Sequence, residues 1–259
     1  MVPVSSLLLM ALNGLLGIAI PVCLAWYLVR RHQASLSSIL IGAGTFIVFA
    51  LVLESILHQV VLKGPWGASI QGKTWLFALY GGLAAGIFEE CGRWISMKYL
   101  MKKEPSKPLP GLAYGVGHGG AEMILIFGVT MIGNLVLSLL INSGQAETLF
   151  AQAPAEAGEQ IRAQLTSLQT TSAGTWLLGL WERLSALVLQ LALSLLVWTA
   201  VRRGGKCFWL FPAAILLHAG VDAGAVLLQK SLSLPALEAI LTAEALGLAV
   251  IAIWLQGNS

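Results

Sequence analysis

Charge is what this sequence has least of. Of its 259 residues, 10% are Asp, Glu, Lys or Arg, against about a quarter in a typical soluble domain. So few charges cannot furnish a water-facing surface, which argues against a soluble globular protein. Cysteine is scarce as well. Three thiols, Cys23, Cys91 and Cys207, make no close pair, so neither a disulfide framework nor a thiolate zinc site is expected. No basic cluster interleaves with aromatics, which excludes nucleic acid as a partner. No H-E-x-x-H segment occurs, so that zinc-protease signature is missing. The N-terminus lacks the basic start of a signal peptide, and its apolar stretch continues to Arg30 and Arg31.

What the chain has is apolar length. It is 57% hydrophobic, with a mean hydropathy of +0.82. Seven spans are expected, near residues 7–29, 36–62, 75–99, 111–140, 175–200, 208–229 and 235–255, each able to cross a hydrocarbon core of about 30 Å. Nothing alternates polar and apolar as barrel strands do. The expected fold is therefore all-α: a polytopic helix bundle with about seven transmembrane helices, forming a single integral membrane domain over 1–259, with no soluble domain appended. A bacterial cytoplasmic membrane is its expected location. The loops set its orientation. RRHQ, KYLMKKEPSK and RRGGK follow spans one, three and five, whereas the other side carries Lys63, Lys73, Arg162 and Lys230 diluted by Glu147, Glu156 and Glu159. An excess of basic residues marks the cytoplasmic side, so the N-terminus is expected outside and the C-terminus in the cytoplasm. The long loop near 142–174 reads as a solvated loop with a little helix. Ile161, Leu165 and Leu168 recur at helical spacing within it, and the alternative is a short interfacial helix acting as a lid.

Ionisable residues inside the spans form a pattern. Glu54/His58, Glu89/Arg93, His118/Glu122 and His218/Asp222 are all four residues apart, so each pair shares one helical face. Glu90, Glu182, Arg183, Glu238 and Glu244 add to the inventory. A charge at a helix centre costs about 2.5–3.5 kcal/mol on insertion scales, and a purely structural bundle would not accumulate so many. At about 1.5 Å per residue, Glu89, Glu90, His118, Glu122, His218 and Asp222 fall in one layer of the cytoplasmic half. That layer reads as a catalytic site ahead of a set of salt bridges or an ion pathway. Glu54, His58, Glu182 and Arg183 fall nearer the outer face, where a structural ion-pair cluster is expected.

Two features resemble motifs and are read otherwise. GVGHGG, residues 115–120, matches a dinucleotide pattern, but no strand precedes it. Its small residues suit close helix approach in lipid, which would press His118 against its neighbours. Cys91 beside the glutamates is read as packing rather than as a nucleophile.

FEECGRW, YGVGHGGAE and LHAGVD together resemble the YhfC-type intramembrane proteases, near the CAAX-prenyl-endopeptidase-like (CPBP/Abi) group. ERLSAL and LESILH also look like YhfC-type segments, so the resemblance touches five spans. Tyr114/His118 fits the wider group's aromatic-x-x-x-His helix. His218/Asp222 fits its His-x-x-x-Asn-type helix with Asp for Asn. Arg93 stands one residue short of that group's Glu-Glu-x-x-x-Arg spacing, which leaves open whether Glu89 or Glu90 is the base; by helical geometry Glu89/Arg93 is the better bridge. The resemblance implies hydrolysis of a peptide bond in a membrane-embedded or lipid-anchored protein or peptide. A glutamate would activate water with help from His118, and His218 would stabilise the oxyanion. An ionised Asp222 would repel that oxyanion, so it orients His218, is protonated, or binds metal. No cofactor is favoured. Zinc stays open, with His118, Glu122, His218 and Asp222 as its ligands. A non-proteolytic proton- or ion-coupled transporter is a further alternative, although no internal repeat supports it.

Overall fold

The structure is a computed structural model. It describes residues 1–145 and 155–257, and for 155–161 the backbone alone. Glu147 lies outside the described residues, as do the side chains of Glu156, Glu159 and Ile161. Among the described residues every regular element is helical. The helices are α1 (Val4–His32), α2 (Leu36–Leu62), α3 (Gly67–Gln71), α4 (Thr74–Tyr99), α5 (Pro108–Asn142), α6 (Ala155–Thr170), α7 (Ala173–Arg203), α8 (Gly205–Leu228) and α9 (Leu234–Gly257). Several ends follow local chemistry. Proline opens α5 at Pro108 and sits second in α9 at Pro235, where its missing N–H costs nothing. α7 stops where Gly204 turns to φ +60°, a conformation that carries little strain without a Cβ.

Six of these helices, α1, α2, α5, α7, α8 and α9, are long and apolar enough to cross a membrane. The expected third span, α4, has the necessary length at 26 residues, but Glu89, Glu90, Arg93 and Lys98 lower its hydropathy. The chain is an integral membrane protein with a polytopic helical fold.

By internal contacts the chain divides into two compact units. The first comprises Met1–Ile20 and Met123–Arg183. Its small core holds Val2, Met10, Leu168 and Trp176, and Asn13 donates to the Trp176 carbonyl at 2.6 Å. Part of the long loop is helical, as α6, and Leu168 on that helix is buried in this core. The second unit comprises Pro21–Glu122 and Leu184–Ser259. Within it α4 lies along α8, and α2 lies along the first half of α5. Every residue of α7 from Ala192 to Ala200 is buried, as suits a helix that is apolar all round. Trp198, Leu193, Leu196 and Tyr114 anchor the core there.

Two stretches depart from α geometry. Ile47–Glu54 within α2 and Met123–Gly128 within α5 are π-helical. Such stretches are rare and frequent at functional sites. The first ends on Glu54 and the second begins immediately after Glu122.

Candidate active site

All the expected inner-layer residues belong to the second unit, and two close helix crossings bring them together. On α5, a Cβ built on Gly117 would stand 1.9 Å from the Ile39 carbonyl oxygen of α2. On α4, one built on Gly86 would stand 2.7 Å from the Ile215 carbonyl oxygen of α8. Only glycine permits such approaches. His118 follows the first contact directly, Glu89 and Glu90 lie one turn beyond the second, and His218 faces them from α8. The GVGHGG run therefore serves helix packing, as its context implied.

The two glutamates each take one histidine. His118 Nε2 donates to Glu89 Oε2 at 2.8 Å, and His218 Nδ1 meets Glu90 Oε1 at 2.8 Å. Arg93 joins the pairs. Its guanidinium lies 3.7 Å from Glu89 Oε2 and 3.4 Å from Glu90 Oε1. Helical spacing favoured Glu89 as its partner, but the longer reach of the arginine spans both residues and comes nearer Glu90. Arg93 and Glu90 are fully buried, and Glu89 is 7% exposed. Buried charges persist only when paired in this way. The His118 ring is held on two sides, stacked on Tyr114 with centroids 5.9 Å apart and edge-on to Phe46 at 5.3 Å. Among the described residues, His118 Nδ1, Glu90 Oε2 and Arg93 Nε are buried with no hydrogen-bond partner, an unusual concentration.

Asp222 Oδ2 lies 3.6 Å from His218 Nε2, an ion-pair rather than a hydrogen-bond distance. Glu122 enters through a residue that a tally of acids and bases passes over. Gln190 of α7 donates from Nε2 to Glu122 Oε2 at 2.7 Å and to Glu89 Oε2 at 3.0 Å. Its sequence signal is one neutral amide in the middle of an apolar span.

Glu54 and His58 pair with each other, Oε1 to Nε2, at 3.2 Å, and His58 Nδ1 bonds the Tyr80 hydroxyl at 2.9 Å. Glu182 and Arg183 bond one another within the first unit. Among the described residues, no three His, Cys, Asp or Glu side chains gather as the ligands of one ion. The set considered for zinc is split: His118 faces Glu89, His218 lies between Glu90 and Asp222, and Glu122 bonds Gln190.

This arrangement holds a weakly exposed carboxylate beside a fixed imidazole, with a second imidazole and a guanidinium alongside. Comparison with known proteins fits that picture. The model of the YhfC intramembrane metalloprotease family matches residues 16–242. The chain is 40% identical over 235 residues to the uncharacterized membrane protein YhfC of Bacillus subtilis (strain 168), covering 90% of this chain and 88% of the relative. No solved structure matches the chain.

Proposed function

The chain belongs to the YhfC intramembrane metalloprotease family, and from that premise we propose that it hydrolyses a peptide bond of a membrane-embedded or lipid-anchored protein, with Glu89 as the base. The observation that carries the assignment is the asymmetry of the glutamate pair. The contacts of Glu89 engage Oε2, so Oε1 is available to water. Glu90 is enclosed between His218 and Arg93.

In this reading Glu89 Oε1 takes a proton from water, and the hydroxide oxygen attacks the scissile carbonyl carbon. The carbonyl π-electrons move to its oxygen, and His218 stabilises that oxyanion through a proton on Nε2. The oxyanion's electron pair then re-forms the carbonyl as the C–N bond breaks, the electrons of that bond stay on nitrogen, and Glu89 returns the proton to the leaving amine. His118 holds the carboxylate in place throughout. The basic loops after α1, α4 and α7 would face the cytoplasm of a bacterial cell.

The family description names a metal, whereas the mechanism implied by the sequence resemblance favoured none and left zinc open. The donor types are those that zinc accepts. Their arrangement does not suit an ion: they pair off rather than converge, and the Arg93 guanidinium already lies between the two carboxylates. The residues present do not fit a bound metal, and no step above passes through one.

The test is a survey of new protein N-termini in membranes of cells producing the wild type or Glu89→Gln/Glu90→Gln at equal levels. Termini produced by the wild type alone are expected, and they name substrates. Identical sets from both would sink the peptidase reading.

A further inference from the structure

α7 contributed nothing to the expected inner layer, yet it touches most of it. Its segment LVLQLALSLL carries Gln190, which is 3% exposed. The side-chain oxygen of Gln190 accepts from one Arg93 nitrogen. Its main-chain oxygen accepts from the other Arg93 nitrogen at 3.4 Å and from the Ser194 hydroxyl at 2.7 Å. The two amide protons are committed as well, one to Glu89 Oε2 and one to Glu122 Oε2.

These partners allow one orientation. A guanidinium only donates, so the amide oxygen must face Arg93. A flipped amide would aim N–H groups at the guanidinium and its oxygen at two carboxylates. Position along α7 is fixed too, since a Cβ on Gly119 of α5 would stand 2.7 Å from Gln190 Cβ. Glu89 Oε2 thus accepts from Gln190 and His118 together, which prevents rotation of the carboxylate and leaves Oε1 pointing one way. We infer that Gln190 is a positioning residue, which aims Glu89 Oε1 at the attacking water and couples Glu122 and Arg93 to that aim. This rests on the peptidase reading above.

The residue acts through Glu89, so its loss is expected in turnover and not in substrate binding. The experiment uses the full chain in lipid nanodiscs. The probe is a fluorogenic peptide spanning one site that the wild type cuts and Glu89→Gln does not. Gln190→Met keeps the volume and removes both polar ends. Gln190→Glu keeps an oxygen for Arg93 and sets an acceptor against Glu89 and Glu122. Both variants are expected to lower kcat by about tenfold or more, with KM within about threefold of wild type. The fold is followed by thermal unfolding. A second readout is the side-chain amide spectrum of 15N-glutamine-labelled wild type, with the Gln190 resonances assigned by triple-resonance experiments on the wild type itself. Glu89→Gln is expected to shift one Gln190 amide proton and Glu122→Gln the other.

A kcat within about threefold of wild type in either folded variant overturns the role of Gln190 and leaves the peptidase reading standing. If the methionine variant does not fold, the spectrum decides, and amide protons insensitive to both glutamates overturn it. A wild type that cuts no peptide spared by Glu89→Gln overturns the peptidase reading itself, and the positioning role falls with it.

Discussion

Glu89 and Glu90 are adjacent, identical in chemistry and different in surroundings. Glu90 is fully enclosed, with Arg93 and His218 against one of its oxygens. Removing its charge leaves Arg93 with less compensation, and breaking a buried pair typically costs about 3–5 kcal/mol. Glu89 shares Arg93 at the longer distance of 3.7 Å, and its neutral amide analogue can still accept a hydrogen bond from His118. The two variants should therefore fail differently. Glu89→Gln is expected to unfold near the wild-type temperature and to lose about 10²–10⁴ in cleavage rate. Glu90→Gln is expected to unfold at a clearly lower temperature while its folded fraction retains more activity. Thermal unfolding in detergent, paired with cleavage of one defined peptide, separates the two. The opposite pattern would move the base to Glu90. His118 admits a similar comparison. His118→Ala removes the ring wedged between Tyr114 and Phe46 as well as the bond to Glu89, so both stability and turnover should fall.

At the scale of elements, the chemistry depends on how closely helices approach. The contact of Gly117 with Ile39 leaves no room for a methyl group. Gly117→Ala must separate α2 from α5, and overpacking of this kind costs about 1–3 kcal/mol. A chain that still folds is expected to lengthen the His118–Glu89 bond and lose cleavage, whereas Gly133→Ala, at an open position of α5, should change neither; equal behaviour of the two would detach the crossing from the chemistry. Much of this was legible beforehand. Apolar length located the six helices that are long and apolar enough to cross a membrane within a few residues, and charges inside apolar runs exposed Glu89, Arg93, His118 and His218, because both signals run along one dimension. Gln190 and Tyr80 were not legible. Neutral polar residues are common enough in spans to pass unnoticed, and their importance lies in partners 97 or 22 residues away.

The whole molecule poses a question that no single residue answers: how a buried, mostly acidic centre is kept neutral enough to stand in a bilayer. Glu89, Glu90, Glu122 and Asp222 lie around it, and the Arg93 guanidinium lies between the first two. A divalent cation would be one solution and is what the family description names. The geometry offers a different one, in which Arg93, two imidazoles and the Gln190 amide divide the carboxylates among themselves. The alternatives have opposite consequences for the purified chain. In the arginine-centred arrangement, protein prepared without added metal should carry well under one zinc per chain by elemental analysis. Its thermal unfolding should be unmoved by a strong chelator, because no binding energy is removed with the ion. Replacing Arg93 with methionine should be severely destabilising, since the carboxylates lose their compensating charge. A metal-centred arrangement reverses each result: stoichiometric zinc, a lower unfolding temperature on chelation, and recovery when zinc is restored. Activity need not be measured for the distinction, so it can be drawn before any substrate is known.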